Sequence, residues 1–282
     1  MVISLIYFAS KTMKNNKIAA IIVLGSFVAL FFALRSINWI ELFNLEKHSR
    51  DTEQKLGDLF WEQLGDEGEQ ITDSLVIQAI DSMVHRICDY NSIPHDHIKP
   101  HVFKADVVNA FAMPGGHLVI NSALIEDCKN PEQLCGVLAH EIAHIELRHV
   151  MNKLVREVGT AVLFNMTTGG GDGGQIGEII GQLSSMAFDR DLEREADLKA
   201  VEYLCNANID PHPFADFLFL TGDGHSEESL KWLSTHPTSK ERTEYVLKAI
   251  EERNNVSIPV IHAETWNGLK NVLAGVSRES KD

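Results

Sequence analysis

A short sequence near the centre of the chain reads His140-Glu141-Ile142-Ala143-His144. On a helix, residues four apart share one face, so the two imidazoles can reach the same metal ion. Glu141 then lies beside the metal, where its carboxylate can take a proton from an attacking water and later pass it to a leaving amine. The stretch therefore predicts a zinc-dependent peptide hydrolase.

The residues around this stretch predict that it is helical. Asn130 suits a helix N-cap, Pro131 suits the first turn, and apolar residues follow at helical spacing. A catalytic zinc site also needs a third protein ligand, because its fourth position is left for water. His149 lies nine residues after His140, so on a straight helix it points away from the ligand face. We therefore interpret His149 as a packing or surface residue.

A charged segment downstream offers carboxylates for the third position. Glu193 and Asp197 are four residues apart within Ile179 to Leu204, which again predicts a helix. One carboxylate can bind zinc while the other accepts the free N–H of a ligand histidine and so fixes its ring. The alternative is a solvated charged helix, and the charge pattern alone does not separate the two.

Five segments, in order, resemble the successive motifs of one family, and together they cover roughly residues 70 to 250. They are Asn109–Gly116, Ile120–Leu124, Leu138–His144, Glu193–Asp197 and Thr235–Pro237 with Arg242. The chain resembles the gluzincin family of the CAAX prenyl protease, the bacterial heat-shock membrane protease, and the periplasmic and mitochondrial quality-control proteases. The resemblance implies a zincin-like helical fold and substrates that are misfolded or damaged envelope proteins.

The same resemblance implies a site for one Zn²⁺ per chain. Its ligands would be His140, His144 and Glu193, with Glu141 as general base and acid and Asp197 as the carboxylate that supports a ligand imidazole. Glu195 matches a variable position of the motif, although the sequence alone leaves it open as a ligand.

His236 is a further candidate for a catalytic role. A His-Pro sequence cannot continue a helix and marks a loop, and in the family this loop lies near the active site. His236 would either stabilise the oxyanion or occupy the open zinc position in a latent state. The alternative is an ordinary packed or exposed side chain. For Arg190 and Arg242 we expect structural ion pairs.

The segment before the central motif predicts a small β-structure. His101 to Val107 and Ala110 to Met113 are predicted strands, Pro114 to Gly116 a turn, and His117 to Asn121 a returning strand. A strand edge beside the metal would hold an extended substrate by backbone pairing, or the hairpin would merely pack under the active helix. We interpret His117 as structural.

The N-terminal residues predict a membrane anchor. Ile18 to Leu34 is apolar except for Gly25 and Ser26, a length that just spans a bilayer. Three lysines precede it, which places the N-terminus in the cytoplasm and the catalytic domain on the periplasmic side of a bacterial inner membrane. A cleaved signal peptide is the alternative, but its apolar core is usually shorter, and no small-x-small cleavage site follows.

Charge and cysteine content limit the other possibilities. The net charge is −15, and all 40 acidic residues lie beyond residue 35, which argues against nucleic-acid binding. Four cysteines in 282 residues are too few for a disulfide scaffold, although one or two bridges remain open. The expected partners are protein or peptide substrates and, through the N-terminal helix, a membrane.

These observations together predict a mainly α (α+β) protein, a helical metallopeptidase domain with a small β-hairpin or sheet beside the active helix. The expected organisation is a cytoplasmic segment 1–17, a transmembrane anchor 18–35, a connector 36–50, a zinc metallopeptidase domain 51–252 and a C-terminal tail 253–282. The predicted function is a zinc-dependent metalloendopeptidase of protein quality control. The alternative is a zinc-bearing chaperone or adaptor with latent or weak proteolysis.

Overall fold

The computed structural model describes residues 45–170, 173–185, 187–222, 232, 236, 240–253 and 256–279. The expected membrane anchor 18–35 and the cytoplasmic segment 1–17 lie outside these residues. The chain divides into two compact units, Met1–Asp51 and Thr52–Asp282, and only the end of the first is described. No helix within the described ranges combines the length and the apolar character that a membrane crossing requires.

The described chain is mainly helical with one small sheet, as the sequence predicted. The helices are α1 (Leu45–Glu67), α2 (Ser74–Asp89), α3 (Ser122–Asp127), α4 (Pro131–Glu146), α5 (His149–Glu157), α6 (Thr160–Thr167), α7 (Gly173–Leu183), α8 (Arg190–Asn206), α9 (His212–Gly222), α10 (Lys240–Glu251) and α11 (Ala263–Glu279). The prediction of one continuous helix from Ile179 to Leu204 was wrong, because α7 ends at Leu183 and α8 begins at Arg190.

The sheet has three strands in the order β1-β3-β2, where β1 is Lys99–Phe103, β2 is Ala110–Ala112 and β3 is His117–Asn121. The predicted hairpin is confirmed, since β2 pairs antiparallel with β3. Strand β1 was expected to run from His101 to Val107, but it ends at Phe103, and it pairs parallel with β3. Gly116 follows the hairpin turn with φ 80°, and a Cβ there would fall 1.8 Å from the carbonyl oxygen of His97, so only glycine fits.

The two faces of the sheet pack into two apolar clusters. On β3, Leu118 and Ile120 belong to one cluster, and Val119, on the opposite face, belongs to the other. The first cluster includes residues of α2, α4, α8, α9 and α11. The second includes residues of α1, α5, α6 and α7. Helix α4 is buried on all sides from Gln133 to His144. The central motif therefore lies in the core of the second compact unit, with little freedom to move.

The C-terminal segment adds a helix to the same core. Within the expected tail 253–282, α11 runs from Ala263 to Glu279. Its Leu269 and Leu273 are fully buried, and the ammonium of Lys270 donates a 2.9 Å hydrogen bond to the carbonyl of Glu126. This helix packs against α2, which itself packs on α4.

Candidate metal centre

Helix α4 presents two imidazoles from its last turns. The helix begins where predicted: the side chain of Asn130 accepts a 2.8 Å hydrogen bond from the backbone N–H of Gln133, and Pro131 is the first helical residue. His140 and His144 are fully buried, and their Nε2 atoms lie 3.1 Å apart. Because residues four apart share a helix face, both Nε2 atoms point to the same place.

Helix α8 brings Glu193 to this pair. Its Oε1 lies 3.4 Å from Nε2 of His144, and its Oε2 lies 3.6 Å from Nε2 of His140. Glu195, two residues further along, points away from the pair; its side chain is 58% exposed and approaches His149 instead. Of the two glutamates that the sequence left open, the structure brings only Glu193 to the histidines.

His236 completes the cluster from a distant part of the chain. Its Nδ1 lies 2.9 Å from Oε1 of Glu193 and 3.2 Å from Nε2 of His140, and its Nε2 lies 3.2 Å from Oε1 of Glu141. The ring stacks on Trp232, with centroids 4.8 Å apart. His236 is therefore inside the cluster and fully enclosed, rather than on an exposed loop.

The cluster has the chemistry and the shape of a zinc site. One ligand atom each from His140, His144, Glu193 and His236 can be chosen so that all lie within 4.8 Å of one another, and all four side chains are buried. Imidazole nitrogen and carboxylate oxygen are the ligands that zinc takes in catalytic sites. Both carboxylate oxygens of Glu141 are buried beside them, and Nε2 of His236 lies 3.2 Å from Oε1. Such a carboxylate is suited to a water held between it and a metal.

A second layer of buried charge supports the cluster. Asp197 places Oδ1 2.9 Å from Nδ1 of His140, the position that the sequence suggested for a supporting carboxylate. Arg242 donates hydrogen bonds of 2.7 and 2.8 Å to the two oxygens of Asp197 and lies 2.7 Å from Oε2 of Glu193. The hydroxyl of Tyr245 also donates to Asp197. The expectation that Arg242 makes structural ion pairs is confirmed.

The two glutamates of the cluster have opposite electrostatic surroundings. Burial raises the pKa of the Glu141 carboxyl above its usual range, since the charges of His236 and His140 offset this effect only in part. Burial also acts on Glu193, but His236 and His144 outweigh it and hold the pKa of this carboxyl well below its usual range. Glu193 therefore stays ionised, as a ligand must, while Glu141 is suited to exchanging protons.

Comparison with known proteins agrees with this geometry. Residues 75–250 match the family model of peptidase family M48. The chain belongs to this family. The resemblance to the gluzincin proteases drawn from the motifs is thereby confirmed.

Several relatives share part of the sequence. The β-barrel assembly-enhancing protease of Escherichia coli K12 is 28% identical over 204 residues, which cover 67% of this chain and 42% of that protein. Mitochondrial metalloendopeptidase OMA1 of Schizosaccharomyces pombe is 31% identical over 157 residues, 54% of this chain and 45% of that protein. The chain spans less than half the length of each of these relatives.

In this M48 chain, His149 does not lie where the sequence suggested. The straight helix assumed for this prediction was wrong, because α4 ends at Glu146 and Arg148 takes the left-handed conformation with φ 58°. Helix α5 then starts in a new direction, and Nδ1 of the buried His149 comes within 3.1 Å of Nδ1 of His144. The interpretation of His149 as a packing residue agrees with its burial and with its place outside the group of possible ligands. Burial lowers the pKa of His149, against a smaller opposite effect of Glu195.

Two aromatic residues of the site were not found from the sequence. The ring of Phe188 stacks on His144 at 4.1 Å, and Trp232 stacks on His236. Both lie outside the motifs, and no local pattern distinguishes them from other apolar residues. Two other residues singled out from the sequence lie outside the cluster. Arg190 is exposed. His117 is buried, and its Nδ1 lies 3.0 Å from Nε2 of His101.

Proposed function

We propose that this chain is a zinc-dependent metalloendopeptidase that hydrolyses peptide bonds in misfolded or damaged envelope proteins. The observation that carries the proposal is the convergence of His140, His144 and Glu193 beside the buried carboxylate of Glu141. The name of OMA1, a metalloendopeptidase, agrees with the reaction type. The name of the bacterial relative, a protease that enhances assembly, agrees with a role in handling other proteins.

The residues divide the work of hydrolysis between them. His140, His144 and Glu193 would hold one zinc ion, which when bound supplies Lewis-acid activation of water and of the scissile carbonyl. Glu141 takes the proton from the attacking water and returns it to the leaving amine. Its raised pKa favours both steps, because a group that gains and loses a proton works best when its pKa is near the working pH.

Strand β2 is suited to present the substrate to this site. It lies at one end of the strand order, and it packs against α4. The backbone N–H of Ala112, in β2, is close enough to Glu141 to lower the pKa of that carboxyl. An extended substrate paired with the edge of β2 that faces away from β3 would therefore run past Glu141, with affinity that depends little on its sequence.

The cellular setting is proposed from the sequence. The apolar segment 18–35 would anchor the chain in a bacterial inner membrane, with residues 1–17 in the cytoplasm and the catalytic domain in the periplasm. Substrates of a quality-control protease in that compartment would be envelope proteins.

Metal removal tests the proposed reaction. The purified full chain is expected to hold about one zinc ion and to cleave an unfolded protein such as reduced casein. A chelator should stop cleavage, zinc should restore it, and Mg²⁺, which prefers oxygen ligands, should not. Zinc content and cleavage rate are measured on the same samples. Cleavage that continues after all metal has been removed would contradict the proposal.

His236 supports a second candidate function, a zinc-bearing chaperone or adaptor with restrained proteolysis. Its Nδ1 lies among the ligand atoms of the cluster, and a fourth protein ligand would take the position that water needs. Trp232 stacks on its ring, and Arg242 donates a 3.1 Å hydrogen bond to its carbonyl oxygen. These contacts hold the ring of His236 beside the ligand atoms, which supports the role of a cap.

Replacing His236 separates a cap from an oxyanion donor. We expect His236→Ala to raise basal cleavage of an unfolded substrate and to keep the zinc, because the cap is removed while three ligands remain. If His236 instead stabilises the oxyanion, the rate should fall by roughly ten- to a thousandfold with zinc retained. His212→Ala, at an exposed histidine on α9, is the control. Unchanged cleavage and zinc content in His236→Ala would assign His236 a packing role only.

A further inference from the structure

We infer that His149 positions His144 for metal binding by accepting a hydrogen bond from its Nδ1–H, and that Glu195 in turn orients His149. The inference rests on the proposed zinc site, because it concerns the ring nitrogen of His144 that does not face the cluster. It gives a role to a buried histidine and an exposed glutamate that the proposed reaction does not use.

The positions of the ring nitrogens determine the direction of each hydrogen bond. Nε2 of His144 faces Nε2 of His140 at 3.1 Å and Oε1 of Glu193 at 3.4 Å, so Nε2 is the ligand atom. A neutral imidazole that coordinates through Nε2 carries its proton on Nδ1. Nδ1 of His149, 3.1 Å away, must then accept a hydrogen bond from this N–H. The proton of His149 lies on its Nε2, which is 3.4 Å from Oε2 of Glu195.

The chain bends at one residue to place His149 there. Arg148 lies between α4 and α5 with φ 58°, a conformation that a residue with a side chain adopts only where its surroundings stabilise it. Its guanidinium makes a 2.8 Å ion pair with Glu53 of α1, a contact that favours this conformation. Without the bend, helical geometry would turn His149 away from His144.

The two ligand histidines therefore have different supporting groups. His140 is supported by Asp197, a buried carboxylate whose charge is matched by Arg242. His144 is supported by the neutral, buried ring of His149, whose own partner Glu195 is 58% exposed. Water can replace an exposed carboxylate but cannot easily reach a buried nitrogen. His149 should therefore carry most of the effect on the metal, and Glu195 little.

Two substitutions of His149 in the full chain test this. His149→Phe keeps a ring of similar size but removes the acceptor, and we expect zinc, titrated against a competing chelator, to bind about 10–100-fold more weakly. His149→Asn places its Oδ1 near the position of the lost Nδ1 and should recover most of the affinity. The visible spectrum of bound Co²⁺ should change in His149→Phe and return towards wild type in His149→Asn, because it reports the geometry of the ligands.

His117→Phe is the matched control, since His117 is equally buried, at 3% exposure, and pairs with another histidine outside the cluster. It should leave zinc affinity unchanged. Wild-type zinc affinity in His149→Phe would overturn the inference. An equal loss of zinc affinity in folded His149→Phe and His149→Asn would also overturn it, because that result would indicate a packing role alone. A wild-type chain that takes up no zinc would overturn the proposed function, and the inference with it.

Discussion

Glu141→Gln is expected to lower the rate of peptide hydrolysis by about 10²- to 10⁴-fold while zinc content stays at the wild-type level. The amide has the size of the carboxylate but cannot take a proton from water, so only the proton transfer is lost. Folding should not suffer. Both oxygens of Glu141 are buried, and replacing a buried carboxylate by an amide of the same size removes a cost of burial. The amide oxygen can still accept a hydrogen bond from Nε2 of His236, which lies 3.2 Å from Oε1 in wild type.

The measurement is the cleavage rate of an unfolded protein at saturating concentration, with zinc content determined on the same samples. Glu132→Gln makes the same chemical change in the first turn of α4, far along the helix from the cluster, and should cleave normally. A cleavage rate in Glu141→Gln equal to that of wild type would exclude Glu141 as the base. A cellular function that survives the loss of cleavage would favour the chaperone or adaptor alternative.

Local signals explain why the active helix was predictable. The N-cap of Asn130, the position of Pro131 and the spacing of the apolar residues act within one helix, and the four-residue spacing of His140 and His144 fixes their common face. The same reasoning gave the hairpin of β2 and β3, because its strands and turn are adjacent in sequence. These features depend on neighbours only a few residues away.

The position of His149 depended on a distant contact. The sequence from Glu146 to His149 contains no glycine or proline to mark a break, and a continuous helix was the simplest expectation. Arg148, at the bend, forms an ion pair with Glu53, 95 residues earlier. No spacing rule reports such a contact, so the supporting role of His149 became visible only in three dimensions.

The convergence of α4, α8 and the His236 segment was likewise beyond local reasoning. Helical periodicity put Glu193 and Asp197 on one face, but it did not say which face was buried or against what. The resemblance to a known family supplied that link for Glu193 and Arg242. It did not predict that Trp232 stacks on His236, because Trp232 lies outside the motifs.

Glu193→Ala and Glu195→Ala should differ strongly in their effect on zinc. We expect Glu193→Ala to weaken zinc binding by more than about 100-fold, since a directly bound ligand contributes more than a supporting residue. Glu195→Ala should change it by less than about tenfold, because Glu195 approaches the cluster only through His149. Both changes remove a carboxylate from the same helix, so general effects on α8 are matched between them.

Zinc affinity of both variants is measured by competition with a chelator, and their helical content by circular dichroism. Glu193→Gln keeps the volume of the side chain and its contact with Arg242, 2.7 Å away in wild type, so it guards against a loss of zinc through unfolding. It should bind zinc poorly, because a neutral amide is a weak ligand for this ion. Equal zinc loss in Glu193→Ala and Glu195→Ala, or no loss in either, would contradict the ligand assignment. A selective loss in Glu193→Ala would identify Glu193 as the ligand and limit Glu195, two residues further along α8, to a minor effect that reaches the metal through His149.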